Sequence, residues 1–216
     1  MKEITDIAYH FSEKEFMILL SSAGVEHLPC FAGELASIAD IPQEDYNREI
    51  FGLAKRGMLR SRGDALYMPE EYARIFRTVK QRKMTLSLLY MERLEYFYIG
   101  SGSAAVEAQS AAEVGAYVRL GYLEKDAFCR RIREALPGAV VPDSVYKEGE
   151  EEQLPEEAEE TGVLKILDEK EETIASWKFY EWKGKIYTER SGEQGKKRFL
   201  TEDFYRRLMT ILEEKK

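Results

Sequence analysis

The chain has 216 residues, is 44% hydrophobic and 33% charged, and carries a formal net charge of −8. That balance fits a folded, water-facing chain rather than a disordered or fibrous one, and no apolar run reaches the ~18 residues that a membrane-spanning helix needs. The acid excess is concentrated in residues 148–162, EGEEEQLPEEAEETG, which hold eight carboxylates and no base; the remainder is close to neutral and lacks the basic field expected of a nucleic-acid binder.

The first 30 residues show no basic stretch followed by an apolar core, so no secretory leader is expected. Cys30 and Cys129 have no metal-ligand spacing and read as incidental reduced thiols. Both features point to the cytoplasm.

In chain order, Ser12-Glu13-Lys14-Glu15 is a capping-box pattern, with Phe11 and Phe16 placed as a hydrophobic staple. A helix over 13–23 ends at Gly24. A short helix is expected over Gly33–Ala39 and a longer one over Pro42–Arg56, where a proline in the first turn sacrifices no hydrogen bond. Tyr46, Ile50 and Leu53 share one face of it. The stretch IFGLAKRGMLRSRGDALYMP then reads as a helix end, a stop at Gly57, a polar turn over Arg60–Asp64 and a strand over Leu66–Met68. Pro69 opens another helix, to Lys80, with Tyr72, Ile75, Phe76 and Val79 as its apolar stripe. Residues 1–80 therefore read as a winged-helix-like helical unit.

The period then changes from helical to two. In Met84–Met91, Leu86, Leu88 and Tyr90 alternate with Thr85, Ser87 and Leu89. In Leu94–Ile99, Tyr96 and Tyr98 alternate with Phe97 and Ile99. Gly100–Ser103 is a turn, and Ala104–Ala108 and Val114–Leu120 are two more strands of a half-buried sheet. A helix over Leu123–Leu136 presents Phe128, Ile132 and Leu136 on one face, and Pro137-Gly138 ends it. Residues 147–162 read as an acidic linker, because like charges repel and little apolar surface offsets chain entropy.

Three further strands are expected over Val163–Leu167, Thr173–Trp182 and Lys185–Arg190, with hairpin turns at Asp168-Glu169-Lys170 and Lys183-Gly184. Residues 191–198 read as a mobile basic loop. Thr201 caps a last helix whose apolar face is Phe204, Leu208, Ile211 and Leu212. Residues 81–146 and 163–216 thus repeat one plan, a β-meander followed by a helix. The expected fold is α+β, with one central antiparallel sheet built from two pseudo-repeated meander/helix halves.

Reactive chemistry is sparse. No Walker loop, GxGxxG, HExxH or GxSxG occurs, and His10 and His27 have no partner at metal spacing. Gly100-Ser101-Gly102 lies in a hairpin and makes a weak phosphate signal. The chain reads as non-enzymatic, without metal or cofactor. Aromatics are the richer signal, at 12%. Trp177, Phe179, Tyr180 and Trp182 place large rings on both faces of one strand. Such a strand is either covered by helices on both sides or turns one face to a partner. The turn residues Met91, Arg93 and Tyr96, and the loop residues Lys196, Lys197 and Arg198, are the candidate partner-binding positions. DNA binding is not expected: the would-be recognition helix opens Gln43-Glu44-Asp45, with two carboxylates where phosphates would sit, although Arg48, Lys55, Arg56, Arg60 and Arg62 partly compensate.

The runs LAKRGMLRSRGDALYMPEEYARIFRTVKQRKMTLSL, FYIGSGSAAVEAQSAAEVGAYVRLGYLEKDAFCRRIREALP and TGVLKILDEKEETIASWKFYEWKGKIYTE, with the terminal TEDFYRRLMTILEE, resemble the EspG-like, ESX-secretion-associated chaperones of type VII secretion. The likeness lies in the order of pieces: helix, Arg-Gly, wing, helix, meander, helix, Leu-Pro, second meander, helix. It implies a cytosolic, cofactor-free chaperone or adaptor that holds a helical secretion client of the WXG or a related kind. The alternative reading of the residues is a winged-helix transcription regulator with a C-terminal sensing or dimerising domain.

Overall fold

Ser12 starts the first helix as its sequence predicts. Its hydroxyl accepts from the Glu15 amide at 3.1 Å, and its own amide donates to the Glu15 carboxylate at 3.0 Å. The helix α1 runs Glu13–Ser22. The structure, a computed structural model, describes residues 8–25, 28, 38–91, 93–100, 105–111, 117–138, 158–193 and 195–214.

The staple reaches further than the sequence suggests. Phe11 and Phe16 each close on the Phe76 ring, at 6.3 and 6.4 Å between centroids, and all three are buried. Phe11 belongs to a strand the sequence reading lacks, β1 (Ala8–Ser12). Beyond α1, Ile38–Asp40 forms a 3-10 turn; the rest of the helix expected over Gly33–Ala39 lies outside the described residues, as do His27 and Cys30. Helix α2 spans Gln43–Lys55, and Gly57 takes φ 74° just past its end. The wing is two-stranded, β2 (Arg60–Arg62) and β3 (Ala65–Tyr67), so the expected turn over Arg60–Asp64 is half strand. Helix α3 spans Glu70–Lys80.

The first meander is β4 (Met84–Tyr90), β5 (Arg93–Ile99), β6 (Ala105–Ala111) and β7 (Tyr117–Leu123), followed by α4 (Lys125–Ala135). The fourth strand continues to Leu123, three residues past the expected end at Leu120, where Leu123 pairs with Ala105 of β6; residues 114–116 of the expected strand lie outside the described residues. The second meander is β8 (Glu159–Asp168), β9 (Thr173–Trp182), β10 (Lys185–Arg190) and β11 (Lys197–Arg198), followed by α5 (Thr201–Glu214). Two boundaries need correcting. Glu159–Gly162 belong to β8 rather than to an acidic linker, and residues 147–157 lie outside the described residues. Lys197 and Arg198 are not loop; they pair with Thr188 and Tyr187 at the sheet edge.

The fold is α+β. Both meanders join in one nine-stranded sheet, in the order β1-β7-β6-β5-β4-β8-β9-β10-β11. The seam is the antiparallel pair β4–β8, from Met84↔Asp168 to Tyr90↔Gly162. Helices α4 and α5 share one face. There Phe128, Ile132, Leu208 and Leu212 pack on Met84, Leu86, Phe97, Leu164 and Ile166. The N-terminal unit covers the other face, but only over the first half: its core takes in Tyr96, Tyr98, Val106, Ala108, Val118 and Leu120. Among the described residues, nothing from β8 to β11 joins that core.

Candidate functional site

Alternation assigns every side chain of the second half to a face. Trp177 and Phe179 turn toward α5, where Phe179, Phe199 and Phe204 meet ring to ring at 5.1–5.7 Å. Tyr180 and Trp182 point the opposite way, together with Lys178. Neighbouring strands add Lys165 and Val163 from β8, and Lys185, Tyr187 and Glu189 from β10. The two-faced aromatic strand is thus covered by a helix on one side, with no described helix on the other.

Cations cover the rings on that second side. Lys196 Nζ sits 3.9 Å from the Tyr180 centroid, Arg198 Cζ 5.7 Å from that of Tyr187, and Lys183 Nζ 5.3 Å from that of Trp182. Cation–π attraction of this kind contributes roughly 0.5–1 kcal/mol where solvent is near. The Tyr180 hydroxyl donates to Glu189 at 2.8 Å, and burial followed by this hydrogen bond pushes its pKa up to about 12. Lys178 donates to Glu160 at 2.8 Å, which raises its pKa.

Where this face meets the N-terminal unit, β4 emerges from beneath it. Thr85 is fully buried, Ser87 half-buried and Leu89 41% exposed. Leu89 lies opposite Val163 on β8 and Leu94 on β5, an apolar row across three strands. Met91 stands just beyond, in the two-residue turn between paired Tyr90 and Arg93. It is 65% exposed and holds φ 47°, and its amide donates to the Thr161 carbonyl at 3.0 Å, tying the turn to β8.

The six residues singled out from sequence do not converge. Met91 is exposed at the turn, and Lys196 and Arg198 lie on the face of the second half opposite α5. Arg93 points to the α4 side, where it pairs with buried Glu95. Lys197 also faces the helical side and pairs with Glu193 at 3.3 Å. Tyr96 is not a surface residue: it is 3% exposed and stacks on Tyr98 beneath the N-terminal unit. The β5 hairpin and β11 are separated by β4, β8, β9 and β10, so about 24 Å lies between the two groups. Leu89, Val163, Lys165 and Lys178 were missed. Leu89 had a legible signal, as a lone large apolar residue in the polar register of β4.

Clefts among the described residues lie elsewhere, and two of them are sizeable. One, of about 500 Å³, opens between α1, α2, β3 and α3 over Phe76, with Leu66 and Tyr67 exposed at its rim. The other, of about 450 Å³, lies between β10, β11 and α5, where the Arg190 guanidinium sits 5.5 Å from the Trp177 ring and also pairs with Glu193. Neither brings together a nucleophile, a base and an orienting group. Among the described residues no group of three or more His, Cys, Asp or Glu side chains could hold a metal ion, and no helix is long and apolar enough to cross a membrane.

On the winged-helix unit, two of the five cations that would compensate the acidic start of α2 are engaged. Arg48 pairs with Asp45 at 2.7 Å, and Arg56 pairs with Glu15 and donates to the His10 carbonyl. Lys14 also bonds Asp45, and these partners hold its carboxyl below the usual range. Phe51 is 71% exposed on the outer side of α2. No family model and no curated protein matches the chain.

Proposed function

We propose that this chain is a non-enzymatic cytoplasmic binding protein that keeps a helical protein client soluble: a chaperone or adaptor for type VII secretion of the EspG-like kind. Met91 is the observation that carries the reading. A two-residue hairpin turn with positive φ favours Gly or Asn, yet the position holds a long apolar side chain that is 65% exposed. Neither the backbone nor the core gains from Met there, so the side chain serves contact with something outside. Leu89 and Val163 extend the same apolar row across β4 and β8 on the face opposite α5.

The test is co-expression with small helical-hairpin proteins of the WXG kind, followed by size-exclusion chromatography. A soluble stoichiometric complex is expected, and Leu89→Ser with Met91→Ser should dissociate it while the melting temperature holds, since exposed changes shift stability by less than ~0.5 kcal/mol. Clients that stay soluble alone and never co-elute would overturn the proposal. The regulator reading is tested by anisotropy with random duplex DNA at ~50 mM salt, where phosphate contacts are strongest. No binding at micromolar protein is expected.

A further inference from the structure

We propose that the cleft between α1, α2, β3 and α3 binds a small amphipathic carboxylate, such as a medium-chain alkanoate, with its hydrocarbon against Leu66, Met68 and Phe76 and its carboxylate on Lys80. The site goes beyond the client-binding reading and does not rest on it. It lies on the N-terminal unit, not at the turn that carries Met91.

Size and lining point to a small molecule. The cleft holds about 500 Å³, within the range of roughly 300–1,000 Å³ over which small-ligand sites fall. A helix about 10–12 Å wide fills that volume with roughly one turn, so the space is too small for a client helix. Its floor is apolar: Phe76 is buried, and Ile50, Met68 and Ala73 are half-buried around it. At the rim Leu66 and Tyr67 are 52% and 45% exposed. They belong to the wing, a two-stranded sheet of its own, and neither joins the core cluster beneath. Two large apolar side chains at the rim of an apolar cleft gain burial when a hydrocarbon occupies it.

Charge gives the ligand its sign. Among the described residues no carboxylate lines the cleft, whereas Arg77 and Lys80 do. Arg77 is engaged, gripping Glu70 through two bonds of 2.9 and 3.0 Å. Lys80 has no ion pair among the described residues. Its ammonium comes over Gly24, where a Cβ would stand 2.8 Å from Nζ. Gly24 lies just past the end of α1, whose last turn has no base of its own, and the negative end of a helix favours a cation there. The ammonium is thus stationed at the cleft with a charge still to be matched. An inorganic anion would leave the apolar floor uncovered, and a neutral hydrocarbon would leave Lys80 unmatched. An amphipathic acid meets both requirements.

The experiment uses the full chain with decanoate, decanol and decylamine below their micellar concentrations. Calorimetry should show decanoate binding at least ~10-fold tighter than decanol, with decylamine the weakest. Lys80→Gln should bring decanoate to within ~2-fold of decanol and leave decanol unchanged. Leu66→Ser should weaken decanoate and decanol alike, by ~5-fold or more, with the melting temperature near that of wild type because the side chain is exposed. Amide NMR shifts on adding decanoate should centre on Ala23, Leu66, Ala73 and Lys80. Client co-elution should be the same in both variants as in wild type.

Absence of saturable decanoate binding at millimolar ligand would overturn the inference. Decanol binding as tightly as decanoate, or decanoate affinity untouched by Lys80→Gln, would overturn the assignment of an acid. Amide shifts centred on the nine-stranded sheet, with no effect of Leu66→Ser, would overturn the site. A dimer in sedimentation that dissociates in Leu66→Ser and ignores decanoate would assign the cleft mouth to a second copy of this chain instead. The co-expression result is read separately, so the client reading stands or falls without this one.

Discussion

A Cβ on Gly162 would press into the backbone carbonyl oxygen of Leu89 and stand 3.1 Å from the Cα of Tyr90. The seam between β4 and β8 closes to this spacing only because Gly162 has no side chain, and the β8–β9 register shifts at the same place, between Glu160 and Gly162. Gly162→Ala is therefore expected to destabilise by about 1–3 kcal/mol, as overpacking does, lowering the melting temperature by roughly 2–4 °C per kcal/mol for a chain of this size. Thermal unfolding reads it directly; a melting temperature unchanged from wild type would mean that β8 can shift away from β4 freely.

Met91→Gly separates folding from contact. At φ 47° glycine is relaxed where Met is not, so stability should stay level or rise by about 0.5–1 kcal/mol. Client capture should fall. Denaturant midpoints and co-elution from the same preparations give both readouts. A clear loss of stability would place the Met side chain in the service of the fold and remove the main support for its role in contact.

The sequence carried its local devices clearly. The capping box at Ser12 and Glu15, the stop at Gly57 and the period-two stretches of β4, β5 and β9 depend on neighbours a few residues away, and all stand where expected. Strand β1 was hidden because Tyr9 and Phe11 give too short an alternation to register, and its partner β7 lies over a hundred residues further on. The end of β7 at Leu123 rather than Leu120 is set by pairing with Ala105 of β6, a contact no local pattern carries. Glu159 and Glu160 look like linker by charge. They continue β8 at an exposed end where Glu160 finds Lys178. Which half of the sheet the N-terminal unit packs on could not be read at all, since tertiary packing decides it.

Glu95 makes an acid-side prediction. Burial raises its carboxyl above the ordinary value, although Arg131 and Arg93 pull it down. With the folded-state pKa above the unfolded one, the native state binds this proton more tightly. Its contribution to stability is complete below the unfolded value of ~4.3 and is lost as pH rises through the folded value. Glu95→Gln has no such titration, so the stability of wild type relative to Glu95→Gln should improve between about pH 7 and about pH 4. Equilibrium denaturation across that range tests it; a difference that stays flat would contradict the raised pKa.

Arg131 is the bridge that makes Glu95 tolerable. It donates to Glu95 at 3.0 Å and to Glu107 at 2.8 Å, joining α4 to β5 and β6. Arg131→Leu removes the cation that Glu95 and Glu107 share in a poorly solvated site while Arg93 stays beside Glu95, which should cost about 1–3 kcal/mol. Adding Glu107→Gln should recover part of that loss. A cost that stays below ~1 kcal/mol would show that water reaches the pair.

The β4–β8 seam also sets an order of events during synthesis. Strand β4 finds β5 at once through a two-residue turn, but its other edge waits for a partner that begins only at Glu159. Until then the half-made chain presents an unpaired strand edge whose inner face carries Met84, Leu86 and Leu88, the kind of edge that recruits other chains. Closing it spans a long loop and comes late, so the β4–β8 pairing is the slow, aggregation-exposed step of folding.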